Sequence, residues 1–239
     1  MAKLRPADVI KQLEATTKRK EKEEILRKAY KAGCLEFFEG AKMAYDNLLV
    51  FNIKKVPEVQ ITDPDEDFTP TFNFSKFRGL AKKLRDRELT GNAAREAVDE
   101  AALESDPDDW NYWFRRILIK DLRCGITEKT VNTIIDEFSN SGKTAKVDKV
   151  QKHEVMAAET VQEGKEDELT GEWLADIKCD GMRLTSFLDV ETGTVKMLTR
   201  SGHEKDNFPD IKAALARLTK KIPGSIVLEG EVMAGNNDF

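Results

Sequence analysis

The apolar residues of this chain change their period once, near residue 153, and that change limits its architecture more than any other feature. Before it they recur three and four apart, as on one face of a helix; after it they alternate, as in strands with one buried face. Separate halves with separate periods predict two units, one helical and one built on a sheet. The 239 residues suffice for two cores without disulfide or metal staples.

In the first half, Val9, Ile10 and Leu13 predict a helix over 7–15. Thr17 is a candidate cap for a second helix over 18–32, whose stripe is Ile25, Leu26 and Tyr30 and whose stop is Gly33. A third, over 34–47, carries Leu35, Phe37, Phe38, Met43 and Ala44. Pro57, Pro64 and Pro70 with Asp63, Asp65, Glu66 and Asp67 make 57–72 a helix-breaking loop. Helices are expected again over 74–86, over 93–103 after a turn at Leu89-Thr90-Gly91-Asn92, and over 108–119 with Trp110, Trp113, Phe114 and Ile117.

The last of these ends at Lys120-Asp121-Leu122-Arg123-Cys124-Gly125-Ile126-Thr127, where Thr127 can cap a helix over 128–138. A glycine turn into a helix N-terminus presents free N–H groups and the positive end of a dipole, a seat for phosphate, and Lys120 and Arg123 add charge. The same sequence also fits an ordinary connection. Residues 139–152 hold Lys143, Lys146, Lys149 and Lys152 against Asp148, and read as a spacer that is either simply solvated or touches a polyanion.

In the second half, strands are expected over 173–178, 183–188, 195–199 and 226–232, with a turn at Glu191-Thr192-Gly193. A helix over 209–220 has Asn207 as a candidate cap. Between the first two strands lies Asp176-Ile177-Lys178-Cys179-Asp180-Gly181-Met182-Arg183, which fixes a lysine beside a carboxylate, a glycine and an arginine. Deprotonating that lysine from ~10.4 takes burial or nearby positive charge. Arg183 or a metal supplies the charge, while Asp180 opposes it. An activated lysine forms a Schiff base or attacks a phosphoryl group. Arg183, Lys196 and Arg200 as phosphate partners, with Glu231 for a magnesium ion or a ribose, favour the phosphoryl route.

Composition narrows the setting. With 40% hydrophobic and 35% charged residues the chain has the balance of a soluble globular protein. Its apolar runs fall short of the ~20 residues that span a bilayer, and its first residues lack the apolar core of a signal peptide. Cys34, Cys124 and Cys179 are odd in number and far apart, so a disulfide framework is not expected, and with only His153 and His203 beside them no zinc spacing arises. These features predict a cytosolic protein without membrane contact. The net charge of −5 leaves any nucleic-acid contact to local basic patches.

Lys178-Cys179-Asp180-Gly181-Met182-Arg183 resembles the Lys-x-Asp-Gly-x-Arg nucleotidyl-transfer motif of ATP-dependent DNA ligases, which RNA ligases and mRNA capping enzymes share. Thr199-Arg200-Ser201-Gly202 resembles the Ser/Thr-Arg-x-Gly element of that superfamily, and Leu228-Glu229-Gly230-Glu231 its Asp/Glu-Gly-Glu element, in the same order. Residues 89–94, 120–125 and 45–56, the last ending Lys54-Lys55-Val56, are similar to the helical DNA-binding domain of bacteriophage T4-type ligases.

The resemblance implies a multi-domain α and α/β chain: an all-helical DNA-binding domain over 1–140, a basic linker over 141–152, and part of an adenylation domain with antiparallel sheets over 153–239. It implies that Lys178 takes AMP from ATP with Mg2+ present, that AMP passes to the 5′-phosphate at a nick, and that the 3′-hydroxyl displaces it. Asp176 and Ile177 would read adenine, Arg183 and Arg200 would contact phosphates, and Glu231 would contact ribose or metal. Lys54, Lys55, Lys120, Arg123, Gly125 and Thr127 would grip nicked double-stranded DNA through its phosphates. The family's later elements, including an OB-fold, do not occur before Phe239. The expectation is therefore a monomeric N-terminal portion in a cytoplasm, a host's if the gene is viral, acting with a complementing C-terminal fragment. A nicked-DNA-binding module without catalysis and an RNA-end-joining nucleotidyltransferase are the alternatives.

Overall fold

A computed structural model describes residues 4–60, 68–139, 147–151, 171–172, 179–200 and 202–233. The chain divides into two compact units, residues 1–152 and 153–239.

The first unit is helical among its described residues: α1 (Pro6–Glu14), α2 (Arg19–Lys31), α3 (Leu35–Tyr45), α4 (Phe74–Arg85), α5 (Gly91–Leu103), α6 (Pro107–Asp109), a π-helical stretch (Trp110–Phe114), α7 (Arg115–Leu118) and α8 (Glu128–Ser139). Local chemistry sets several ends. Pro6 opens α1, where its missing N–H costs nothing. Gly33, at φ +77°, ends α2 in the left-handed region. The Asn73 side chain caps α4 by accepting the Lys76 N–H at 3.1 Å. Thr17 does not cap α2; its neighbour Thr16 accepts the Lys18 N–H through Oγ1 at 3.2 Å, ahead of the helix.

The periodicity predicts one regular helix over 108–119, whereas the structure has a π turn in the middle. The wider turn carries the large buried rings of Trp110, Trp113 and Phe114. Trp113 stacks on Phe37 of α3 with centroids 5.2 Å apart. α3 admits that ring only because Gly40 has no side chain, since a Cβ there would lie 2.2 Å from the indole. The core spreads from this contact through Ile10, Leu13, Leu26, Phe77, Leu84 and Ile134. Residues 147–150, expected as spacer, are packed onto it. Val147 and Val150 are buried, and the Asn132 side chain of α8 donates to the Val150 carbonyl and accepts its N–H.

The second unit contains β1 (Met182–Leu188), β2 (Val195–Thr199), α9 (Pro209–Leu218) and β3 (Ile226–Val232). Its sheet has the order β2-β1-β3, both pairs antiparallel. Leu184, Leu188, Val195 and Met197 form the buried centre of one face, with Ile211 and Leu215 of α9 packed against them. Asn207 does not cap α9; Phe208 holds that position without a side-chain bond. The strand expected over 173–178 lies outside the described residues. Among the described residues no helix is long and apolar enough to cross a membrane.

Candidate functional site

Register gathers the three motifs of the second unit. Met182 at the start of β1 pairs with Val232 at the end of β3, and Leu184 pairs with Thr199 at the end of β2. The segment after Lys178, the turn bearing Arg200, and Glu231 therefore share one end of the sheet. Lys178, Asp176 and Ile177 lie outside the described residues; Cys179 and Asp180, which follow, are exposed.

Two of the motif glycines at this end have reasons of their own. A Cβ on Gly181 would stand 2.4 Å from the Val232 carbonyl oxygen and 3.2 Å from Glu231 Cγ, so the two strands meet here only through glycine. Gly202 sits at φ +81° in a tight reversal. Its N–H donates to the Thr199 carbonyl at 2.9 Å, the Thr199 N–H donates to the His203 carbonyl at 2.9 Å, and Thr199 Oγ1 accepts the His203 N–H at 3.1 Å. Arg200 stands exposed on this turn.

Arg183 and Glu231 face each other across β1 and β3, with Nε and Oε2 3.8 Å apart. Two residues further along the same face of β1, the Thr185 hydroxyl is buried and has no hydrogen-bond partner among the described residues. A guanidinium for phosphate oxygens, a carboxylate, and an unsatisfied hydroxyl on one face fit a nucleotide. Among the described residues no group of three or more His, Cys, Asp or Glu could hold a metal. Glu231 still fits a magnesium ion, because magnesium takes one or two carboxylates and completes its shell with phosphate oxygens and water.

In the helical unit, the turn at 120–127 is fastened from beneath. Buried Lys22 donates to the carbonyls of Cys124 at 2.7 Å and Gly125 at 3.2 Å. Tyr45 donates to the Ile126 carbonyl at 2.8 Å, and Arg116 to that of Leu122 at 2.8 Å. Gly125, at φ +63°, lets the chain turn there, and Thr127 is exposed, its hydroxyl 3.4 Å from that of Thr130. Lys120 differs from its expected role. Its backbone is left-handed, at φ +63°, and its amine turns inward to the carbonyls of Met43, at 2.8 Å, and Asp46. Burial lowers its pKa to about 8. That amine ties the start of the turn to the end of α3.

Lys54, Lys55 and Arg123 come together in an open cleft of about 540 Å³, joined by Arg95 of α5 and Arg115 of α7. Five cations there face two carboxylates, Asp99 and Asp121. Arg123 lies 3.5 Å from Asp121, and Arg115 lies 3.5 Å from Glu58 while its Nε donates to the Val56 carbonyl at 3.4 Å. The lysine-bearing segment is laced to the π-helical stretch. Trp110 donates to the Pro57 carbonyl at 2.9 Å, and Asn111 both accepts the Val59 N–H at 3.0 Å and donates to its carbonyl at 2.7 Å. Arg95 and Arg115 were not foreseen, since helical spacing alone does not tell which helical arginine faces a segment about 40 to 60 residues away in sequence. Lys22 and Arg116 carried no signal either, because a lysine or arginine within a helix reads as solvated until its carbonyl partners are known.

Residues 138–238 match the family model of the ATP dependent DNA ligase domain. The whole chain is similar to a solved structure named Pmar-Lig_Pre, with 33% identity and a TM-score of 0.67 over 98% of this chain and 51% of that one. It is similar to a second, Pmar-Lig_PreS3, with 34% identity and a TM-score of 0.64 over the same shares. The chain thus spans about half the length of these solved chains. A search of curated proteins finds no match.

Proposed function

We propose that this chain serves an ATP-dependent DNA ligase, with Lys178 as the residue that accepts AMP. The observation that carries this reading is that the described residues of the three motifs, 179–183, 199–200 with 202, and 228–231, come together at one end of the β2-β1-β3 sheet. The lysine nitrogen attacks the α-phosphate of ATP, the bond to pyrophosphate breaks, and AMP remains on the side chain. AMP then passes to the 5′-phosphate at a nick, and the 3′-hydroxyl displaces it as the strand is sealed. Arg183 and Arg200 bind phosphate oxygens, and their positive charge favours the deprotonated, nucleophilic form of Lys178. Glu231 holds Arg183 in line and contacts ribose or a magnesium ion, which would spread the charge that develops on the phosphate. Asp176 and Ile177 read adenine.

The helical unit grips the nicked duplex. Lys54, Lys55 and Arg123 contact phosphates together with Arg95 and Arg115, and the amides of Gly125 to Thr127 seat one more at the start of α8. Lys22, Tyr45, Arg116 and Lys120 hold that turn in place.

Covalent labelling tests the reading. The chain, alone and fused to the remaining half of the Pmar-Lig_Pre relative, is incubated with magnesium and ATP radiolabelled at the α-phosphate, then denatured. Label on the wild-type protein and none on Lys178→Ala is expected. Label that survives Lys178→Ala, or none on either wild-type form, overturns it.

A further inference from the structure

The described residues leave three large hydrophobic side chains exposed, and two of them, Phe68 at 43% and Leu103 at 74%, line one groove of about 560 Å³. Thr69 and Thr71 line it as well, and its other walls are acidic. Glu96, Asp99, Glu100 and Leu103 follow one another at intervals of three, one and three along α5, so they share a helix face, and Glu104 closes the end. Among the described residues no lysine or arginine lines this groove.

Two of these acids, Glu100 and Glu104, stand at the C-terminal end of the helix that carries them and work against it. Carboxylates near a helix C-terminus meet the negative end of its dipole, where cations are favoured. Within the same unit α2 ends on Lys28 and Lys31, and α4 on Lys82, Lys83 and Arg85, whereas α5 has no basic residue in its last turn. The groove is also fixed. The Glu104 carbonyl accepts the N–H groups of Thr71 and Phe72 at 3.0 and 3.1 Å, and its carboxylate accepts the Thr71 hydroxyl at 3.0 Å and the Lys76 amine at 3.1 Å. Glu96, Asp99 and Glu100 have no ion-pair partner among the described residues, and Leu103 has no apolar cover.

We propose that this groove docks a peptide segment of a partner protein, one large apolar side chain flanked by lysines or arginines. Charge complementarity selects that occupant. Nucleic acid and anionic membrane surfaces are repelled by the three unpaired carboxylates, and a bare cation leaves Phe68 and Leu103 uncovered. The apolar side chain enters between Phe68 and Leu103, while its basic flanks pair with Glu96 and Glu100 and relieve the uncompensated end of α5.

The test uses the full chain and three fluorescein-labelled peptides, Arg-Lys-Leu-Phe-Lys-Arg, Arg-Lys-Ser-Ser-Lys-Arg and Glu-Glu-Leu-Phe-Glu-Glu, read by fluorescence anisotropy. The first is expected to bind and the other two to bind at least about ten-fold more weakly, since one well-seated apolar anchor carries most of a small interface. Leu103→Ser and the double variant Glu96→Lys/Glu100→Lys are expected to lose a similar factor, and Val227→Ser, an exposed apolar residue of the other unit, nothing. These positions are exposed, and circular dichroism verifies that each variant is folded. The proposal is overturned if the first peptide does not bind, if the serine peptide binds equally well, or if Leu103→Ser binds as the wild type does. It is equally overturned if sedimentation shows a wild-type dimer that Leu103→Ser dissolves and the peptide cannot displace, for the occupant is then a second copy.

Discussion

Gly181 and Gly230 occupy similar motifs and meet different surroundings. Gly181 faces the Val232 carbonyl so closely that any side chain must push β1 and β3 apart, whereas Gly230 has nothing within 4 Å of where a Cβ would be. Gly181→Ala should therefore cost roughly 1–3 kcal/mol, the range for forcing an atom into a filled site. Gly230→Ala should stay within about 0.5 kcal/mol. Urea unfolding of the two variants checks this, and equal losses would refute the account. At this scale the sequence was informative about which residues matter and silent about why. Arg183, Arg200 and Glu231 could be named from motif spacing, but their meeting depends on strand register. The inward turn of Lys120 was not legible because its left-handed backbone has no marker in a residue type that usually avoids that conformation.

The elements themselves were largely legible, because amphipathic spacing and glycine stops are local. What was not legible is what the elements hold. The π turn at Trp110–Phe114 and its grip on residues 56–59 join groups more than 50 positions apart, beyond the reach of any periodicity. That grip sets where Lys54 and Lys55 stand. Asn111→Leu keeps the bulk and removes no charge, yet leaves the Val59 N–H and carbonyl without partners. It should cost on the order of 2 kcal/mol, the penalty of unpaired, partly buried backbone groups. Affinity for a nicked duplex, measured by filter binding, should fall with it. A variant that unfolds earlier but binds DNA unchanged would show that the lacing does not position the lysines.

For the molecule as a whole, a net charge of −5 concealed a division of labour along one helix. α5 contributes Arg95 to the basic cleft and Glu96, Glu100 and Leu103 to the acidic groove, with Asp99 on both. If the cleft carries DNA, salt should weaken binding steeply, with a logarithmic slope of about −4 to −5 for five phosphate contacts at ~0.9 each. Lys54→Ala/Lys55→Ala/Arg123→Ala should flatten that slope by roughly 2.7 units, on the same ~0.9 per contact. A slope left unchanged would remove the cleft from the interface. The thiols follow a division of their own: Cys34 and Cys124 are buried in the helical unit, and Cys179 alone is exposed, one peptide bond from Lys178. The chain thus carries a native chemical handle, where a thiol-directed fluorophore would attach at one place and report on events at the neighbouring lysine without any engineered residue.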